Sequence, residues 1–309
     1  MTRPTQHWPA ASATLPAALF LLALSAAPVG RAEVADTPQD GTPRYTLRYK
    51  FHPGETIRWE VEHRKKVDTT VSGITQTADT LSKSVKVWRV KDVKPDGTAT
   101  FEHLVESVDM WHKLSGCDEV RYNSQTDAKP PLGYEHLAQS VGVPVSVVTL
   151  DARGKVVKRE RKPVKAGTQS EGQMTIPFPE EPVPVGHTWS VPENVDAQLK
   201  GGTVKKVKTR QQFTLQGVKT GVATIEVATQ ILTPIDDPAL ESQLIDCESR
   251  GTVRFDIDAG RIIAQQMDVD KHVVGHPNPA SSFRYLSRFT ESLLPAEVQT
   301  ASRAAGSRR

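Results

Sequence analysis

Two acidic pairs, a set of histidines, two cysteines and two basic runs are the residues of this 309-residue chain whose types and spacing can do chemistry. Asp256 and Asp258, and again Asp268 and Asp270, stand two apart within aliphatic runs. On a strand such a pair projects from one face, where it can ligate a hard cation or act as an acid and a base. Calcium asks for more oxygen ligands held in a loop, so the polar face of a half-exposed sheet is the expected role. His52, His63, His103 and His112 fall near Trp59 and Trp111. His103 and His112 are nine positions apart, which on a regular strand sets them on opposite faces. Surface or edge positions are therefore expected for them, and a turn position for His187.

Cys117 and Cys247 can pair in an oxidising compartment or remain two unpaired thiols; their spacing fits no zinc motif. Residues 153–165 are rich in Lys and Arg, and Lys205, Lys206, Lys208 and Arg210 form a second cluster. Such runs suit an anionic partner, or they blunt an exposed sheet edge. Neither run carries the aromatic residues that stack bases, so nucleic acid is not an expected partner. Trp59, Trp88, Trp111 and Trp189 are scattered among strand-like segments and are expected to fill core. The chain has no Gly-x-Ser-x-Gly elbow, no His-Glu-x-x-His, no phosphate loop and no dinucleotide fingerprint. No catalytic, metal-ligating or cofactor-binding residue is therefore assigned, and no cofactor is expected.

The elements that would position these residues read mostly as strands. Residues 46–51, 56–63, 84–93, 101–111, 224–232, 252–257, 262–274 and 283–289 alternate apolar and polar positions or run aliphatic. Several are long for strands, which predicts bulges or strong twist. Pro95-Asp96-Gly97, Ser72-Gly73, Gly201-Gly202 and Asp258-Ala259-Gly260 are turn sequences, and strands joined by short turns pair antiparallel. Helix signal is confined to residues 132–141, and to residues 238–244 with Asp237 as cap and Pro238 in the first turn.

Three landmarks occur in order twice. Pro53-Gly54-Glu55-Thr56 with Trp59 returns as Val185-Gly186-His187-Thr188-Trp189. A strand, a Gly turn at Gly97 and Ala99-Thr100-Phe101 return around Gly221 as Ala223-Thr224-Ile225. Asp151-Ala152-Arg153-Gly154 before Lys155-Val156-Val157 returns as Asp258-Ala259-Gly260 before Arg261-Ile262-Ile263. The expected organisation is a β-rich half at 44–165, a Pro-rich connector at 166–186 and a second β-rich half at 187–294. Polar segments at 33–43 and 295–309 are expected to be disordered. Residues 15–27 are apolar but too short to span a bilayer, and Gly30-Arg31-Ala32 supplies small residues for cleavage. Residues 1–32 thus read as a cleaved signal peptide, with no nearby cysteine for a lipid anchor. Loss of Arg3 and Arg31 lowers the formal charge from +3 to about +1, which calls for neither nucleic acid nor an anionic membrane.

The ordered set formed by residues 49–59, the Gly97 turn, Pro182-Val183-Pro184-Val185-Gly186-His187-Thr188-Trp189 and Gly251-Thr252-Val253-Arg254-Phe255-Asp256 resembles an uncharacterised bacterial family. The resemblance covers about residues 44–292. It implies an exported β-rich protein and transfers no functional residue. The expected fold is mainly antiparallel β, with curved sheets or a barrel-like body built from two related halves and one or two short helices. The expected function is that of a secreted or periplasmic, non-enzymatic binding or scaffold protein of the cell envelope, with an apolar, lipid-like ligand on a concave sheet face. A hydrolase with a site assembled from distant Asp and His residues, and a structural interaction module, are the alternatives.

Overall fold

The computed structural model describes residues 41–161, 174–199, 202–276 and 278–295. The expected leader, most of the first polar segment, residues 166–173 of the connector, the end of the first basic run and the tail beyond residue 295 lie outside the described residues. Described residues from Thr42 onward belong to one compact unit.

Its strands, in chain order, are β1 (Arg44–Tyr45), β2 (Thr56–Val71), β3 (Ile74–Val93), β4 (Ala99–Leu114), β5 (Val120–Asn123), β6 (Pro144–Leu150) and β7 (Val156–Arg161). They continue as β8 (Val183–Pro184), β9 (Thr188–Gln198), β10 (Val204–Lys219), β11 (Val222–Ile231), β12 (Arg250–Asp256), β13 (Arg261–Val274) and β14 (Ser281–Leu293). Helix α1 (Glu135–Ser140) follows β5; α2 (Pro238–Gln243) and a 3-10 turn (Ile245–Glu248) precede β12. The expectation of a mainly antiparallel β fold with two short helices holds. The Asp237 side chain accepts from the Ala239 amide and caps α2 as its sequence implies.

One antiparallel sheet runs in the order β7-β6-β4-β3-β2-β14-β13-β12-β11-β10-β9, with β5 added beside β4; among the described residues it does not close into a barrel. The terminal strand β7 carries Lys158, Arg159 and Arg161, and the other terminal strand, β9, carries Pro192. Both are residues that discourage pairing with another chain.

The sheet must curl. Across a flat sheet, six strand spacings would separate β6 from β12, about 29 Å. Yet two consecutive residues touch the turns beyond these strands: the Tyr49 amide donates to Ala152 O at 2.8 Å and the Lys50 amide to Gly260 O at 3.0 Å. Residues 46–51, expected as a strand, are instead an extended segment crossing one end of the curl. Leu47, Tyr49 and Phe51 point into the main core together with Trp59, Trp88, Phe101, Phe213 and Phe255. The Pro-rich segment lies against it: the Tyr49 hydroxyl accepts from the Ile176 amide at 2.9 Å, and Met174, Ile176 and Phe178 are buried. These two segments plug one end of the curled sheet.

Candidate functional site

Strand register lays the concave face out in rows. The innermost useful row is Val105, Lys86, Trp59 and Leu293, on β4, β3, β2 and β14. The next is Val108, Ser84, Val61, Glu291 and Gln265, and after it Met110, Ser82, His63, Phe289 and Met267. Farther from the plug comes His112, Thr80, Lys65, Ser287 and Val269. Rows are about 7 Å apart, because side chains of one face recur every second residue.

Over these rows lie two clefts. The larger, about 810 Å³, is lined by β2, β3, β4 and α1, including His63, His103, His112 and His136. The smaller, about 410 Å³, lies over the second half and is lined by Phe213, Val227, Val253, Ile262, Met267 and Val269 among others. His63, Met174, Gln265 and Phe289 line both, so the clefts meet over β2, β14 and β13.

His103 and His112 face the same cleft, which the spacing rule did not allow. The register between β3 and β4 shifts where Val85 opposes Ser107 and Lys86 opposes Val105. Glu106 is the additional residue, and one extra residue reverses the alternation of everything before it. Glu106 turns outward to Arg58, with Nε to Oε2 at 2.8 Å.

Within the larger cleft a buried ion pair forms the floor. Lys86 Nζ lies 2.6 Å from Glu291 Oε2, and Gln265 Nε2 donates to the same oxygen at 3.2 Å. The Lys86 side chain is 13% exposed and that of Glu291 3%. The ammonium also sits 4.7 Å from the Trp59 ring centroid and 5.2 Å from that of Trp88, a cation–π arrangement. Trp59 and Trp88 are thus core residues, as expected, and they also cradle a charge; Trp189 packs half-buried against that core, whereas Trp111 is a half-buried residue lining the larger cleft. His63 contacts the Ser287 hydroxyl at 2.9 Å. Burial, reinforced by the nearby Lys65, holds the His63 ring down at about pH 4, which keeps it neutral at pH 7. His112 Nδ1 lies 2.6 Å from the Tyr134 hydroxyl, fixing the start of α1 over β4.

The acidic pairs stand elsewhere. Asp268 and Asp270 form ion pairs with Arg288 and Arg284 of the neighbouring strand, on the outer face. Asp256 caps the β12–β13 turn by accepting from the Ala259 amide. His52 lies in the turn before β2 and His187 in the one before β9. Cys117 is an exposed thiol; Cys247 is a half-buried one on the wall of the smaller cleft, and burial pushes it up to about 11. Lys158, Arg159 and Arg161 of the first basic run lie on the terminal strand β7, and the second cluster lies on β10. Among the described residues no group of three His, Cys, Asp or Glu side chains is placed to hold a metal, and no helix is long and apolar enough to cross a membrane.

A profile described as a family of unknown function (DUF6263) matches residues 165–262. That span contains the second occurrence of each of the three landmarks up to Ile262. No curated protein matches the chain. Among solved structures, one reported as lipid–protein interactions in lipovitellin is 13% identical, with a TM-score of 0.43 over 80% of this chain. This chain spans only 26% of that one. A second is DynF from the dynemicin biosynthesis pathway of Micromonospora chersina: 8% identical, TM-score 0.20, covering 84% of this chain and 89% of that chain.

Proposed function

We propose that this is an exported, non-enzymatic binding protein whose concave sheet face holds an apolar, lipid-like ligand. The observation that carries the reading is the pair of joined clefts, of about 810 and about 410 Å³. Both fall within the range of small-molecule sites, roughly 300–1,000 Å³. Their walls combine aliphatic and aromatic side chains with a few placed polar groups, which is the composition of a site that holds an apolar body and orients one end. The plug fills one end of the curl with Leu47, Tyr49, Phe51, Ile176 and Phe178, while the rows beyond Trp59 are covered only in part, by the start of α1 over Val108 and by the 3-10 turn over Val269. An acid–base role for the acidic pairs finds less support, since Asp268 and Asp270 are paired with arginines on the outer face and Asp256 caps a turn.

Organic extraction of the purified protein, followed by mass spectrometry, is expected to release a co-purified lipid. The emptied protein is expected to brighten a neutral solvatochromic dye such as Nile red. Met267→Trp, which fills the smaller cleft, should weaken dye binding roughly tenfold while leaving the circular dichroism spectrum unchanged. No extracted lipid and no dye response would overturn the reading.

A further inference from the structure

Among the described residues, Lys65, Lys86 and Glu291 are the lysine and carboxylate side chains that line the larger cleft. Lys86 is matched by Glu291 at 2.6 Å. Lys65, three rows farther from the plug, lines the larger cleft and makes no ion pair among the described residues. Its register neighbours are Thr80 on β3 and Ser287 on β14, whose hydroxyls contact the Lys65 carbonyl oxygen and the His63 ring. His63, the next inward residue on that face of β2, is held by Ser287 and contributes no opposing charge. A half-buried cation on the wall of a cleft, with no carboxylate paired to it among the described residues, is placed to form a charge-assisted contact with an anionic group of a ligand.

Inward from this row polar and apolar side chains alternate around the curl, and the apolar ones lie on the side of the smaller cleft, whose lining also includes Glu193 and Asp246. Phe289 and Met267 occupy the next row, and Met174 and Phe289 lead from the larger cleft into the smaller. A ligand that satisfies both regions has a negative group at one end and a hydrocarbon body.

Building on the binding role proposed above, we infer that the ligand is an anionic amphiphile whose acidic head pairs with Lys65 between Thr80 and Ser287, its apolar chain running past Phe289 into the smaller cleft. The charge at Lys65 thus selects acid over neutral lipid, and the Lys86–Glu291 pair, already matched, does not.

The test compares palmitic acid with hexadecanol by calorimetry at pH 8 on delipidated full-length protein. The wild type is expected to bind the acid at least tenfold more tightly than the alcohol. Lys65→Met should erase that preference, and Lys65→Arg should restore it. Equal binding of acid and alcohol by the wild type would overturn the inference and leave the apolar-ligand reading standing. Binding of neither overturns both. A preference that survives in Lys65→Met would place the head elsewhere and also overturn the assignment.

Discussion

At the scale of single residues, the sequence shows which groups are present and the register decides which of them meet. The histidines and Lys86 are visible in the chain, but the bulge at Glu106 that turns His103 and His112 to one side carries no sequence signature. A bulge is one residue in a continuous alternating run, and only the partner strand reveals it. The buried pair gives a direct test. Lys86→Met leaves Glu291, 3% exposed, without its cation and should cost about 3–5 kcal/mol in urea unfolding. Lys86→Met combined with Glu291→Leu should recover most of that loss, because the carboxylate that needed a partner is gone. A single variant as stable as the wild type would show that the pair contributes nothing. His63 gives a pH test. Its ring titrates near 6.5 when free and about 4 in the fold, lowered first by burial and then by Lys65, with Asp246 opposing. Between those values the unfolded chain takes up a proton that the folded chain refuses, so stability is complete above pH 6.5 and falls as the pH drops toward 4. Allowing for solvent at a half-buried ring, the loss is roughly 1–2 kcal/mol. Thermal melts of His63→Gln should show a flatter profile over that window, and an unchanged slope would assign it to another group.

At the scale of elements, turns and helices were legible and the plug was not. The Gly97 and Gly260 turns, the Asp237 cap and the two helices follow local rules in which the deciding residues are neighbours in sequence. Residues 46–51 alternate as a strand does, because Leu47, Tyr49 and Phe51 all face the core. Their hydrogen bonds go to two distant turns rather than to a strand partner, and nothing local distinguishes the two cases. The same holds for Met174, Ile176 and Phe178 in a segment whose prolines suggest only a connector. The glycines at the two turns record the plug in retrospect. Gly154 adopts φ +85°, and a Cβ there would run into the Tyr49 ring; Gly260 adopts φ +63°, and a Cβ would meet the backbone and side chain of Lys50. Gly154→Ala and Gly260→Ala should each destabilise by about 3 kcal/mol or more, adding overlap to backbone strain. Gly54→Ala, at φ +76° in open space, should cost only about 1 kcal/mol. Equal losses at all three positions, measured by urea denaturation, would show that the plug does not press on the turns.

At the scale of the whole molecule, the succession of three strands, a short helix and two strands occurs from β2 to β7, with the short β5 added, and again from β9 to β13. Both sets lie in the sheet in the same direction, with β14 inserted between β2 and β13. We propose that this reflects the copying of one unit, which the paired landmarks suggest. The proposal bears on how the molecule unfolds. Two copies with separate cores would melt independently, whereas here one core draws Trp59, Trp88 and Phe101 from the first half and Phe213, Leu215 and Phe255 from the second. Trp59 Nε1 donates to Ile262 O at 2.9 Å, and β14 pairs with β2 along their length. The curl that creates this shared core was beyond the reach of sequence, because it depends on which turns the plug bridges. Shared burial couples the halves, so neither retains its apolar surface once the other opens. Urea unfolding followed by tryptophan emission should therefore give one midpoint in two complementary variants made on a Trp8→Phe background: Trp189→Phe, which reports on the first half, and the replacement of Trp59, Trp88 and Trp111 by Phe, which leaves Trp189 to report on the second. Each curve is compared with circular dichroism of the same variant, so that a shift in overall stability is not mistaken for uncoupling. Emission and dichroism that coincide in both variants are the expected result, and a transition in which either probe leads the other would mean that the two halves hold separate cores.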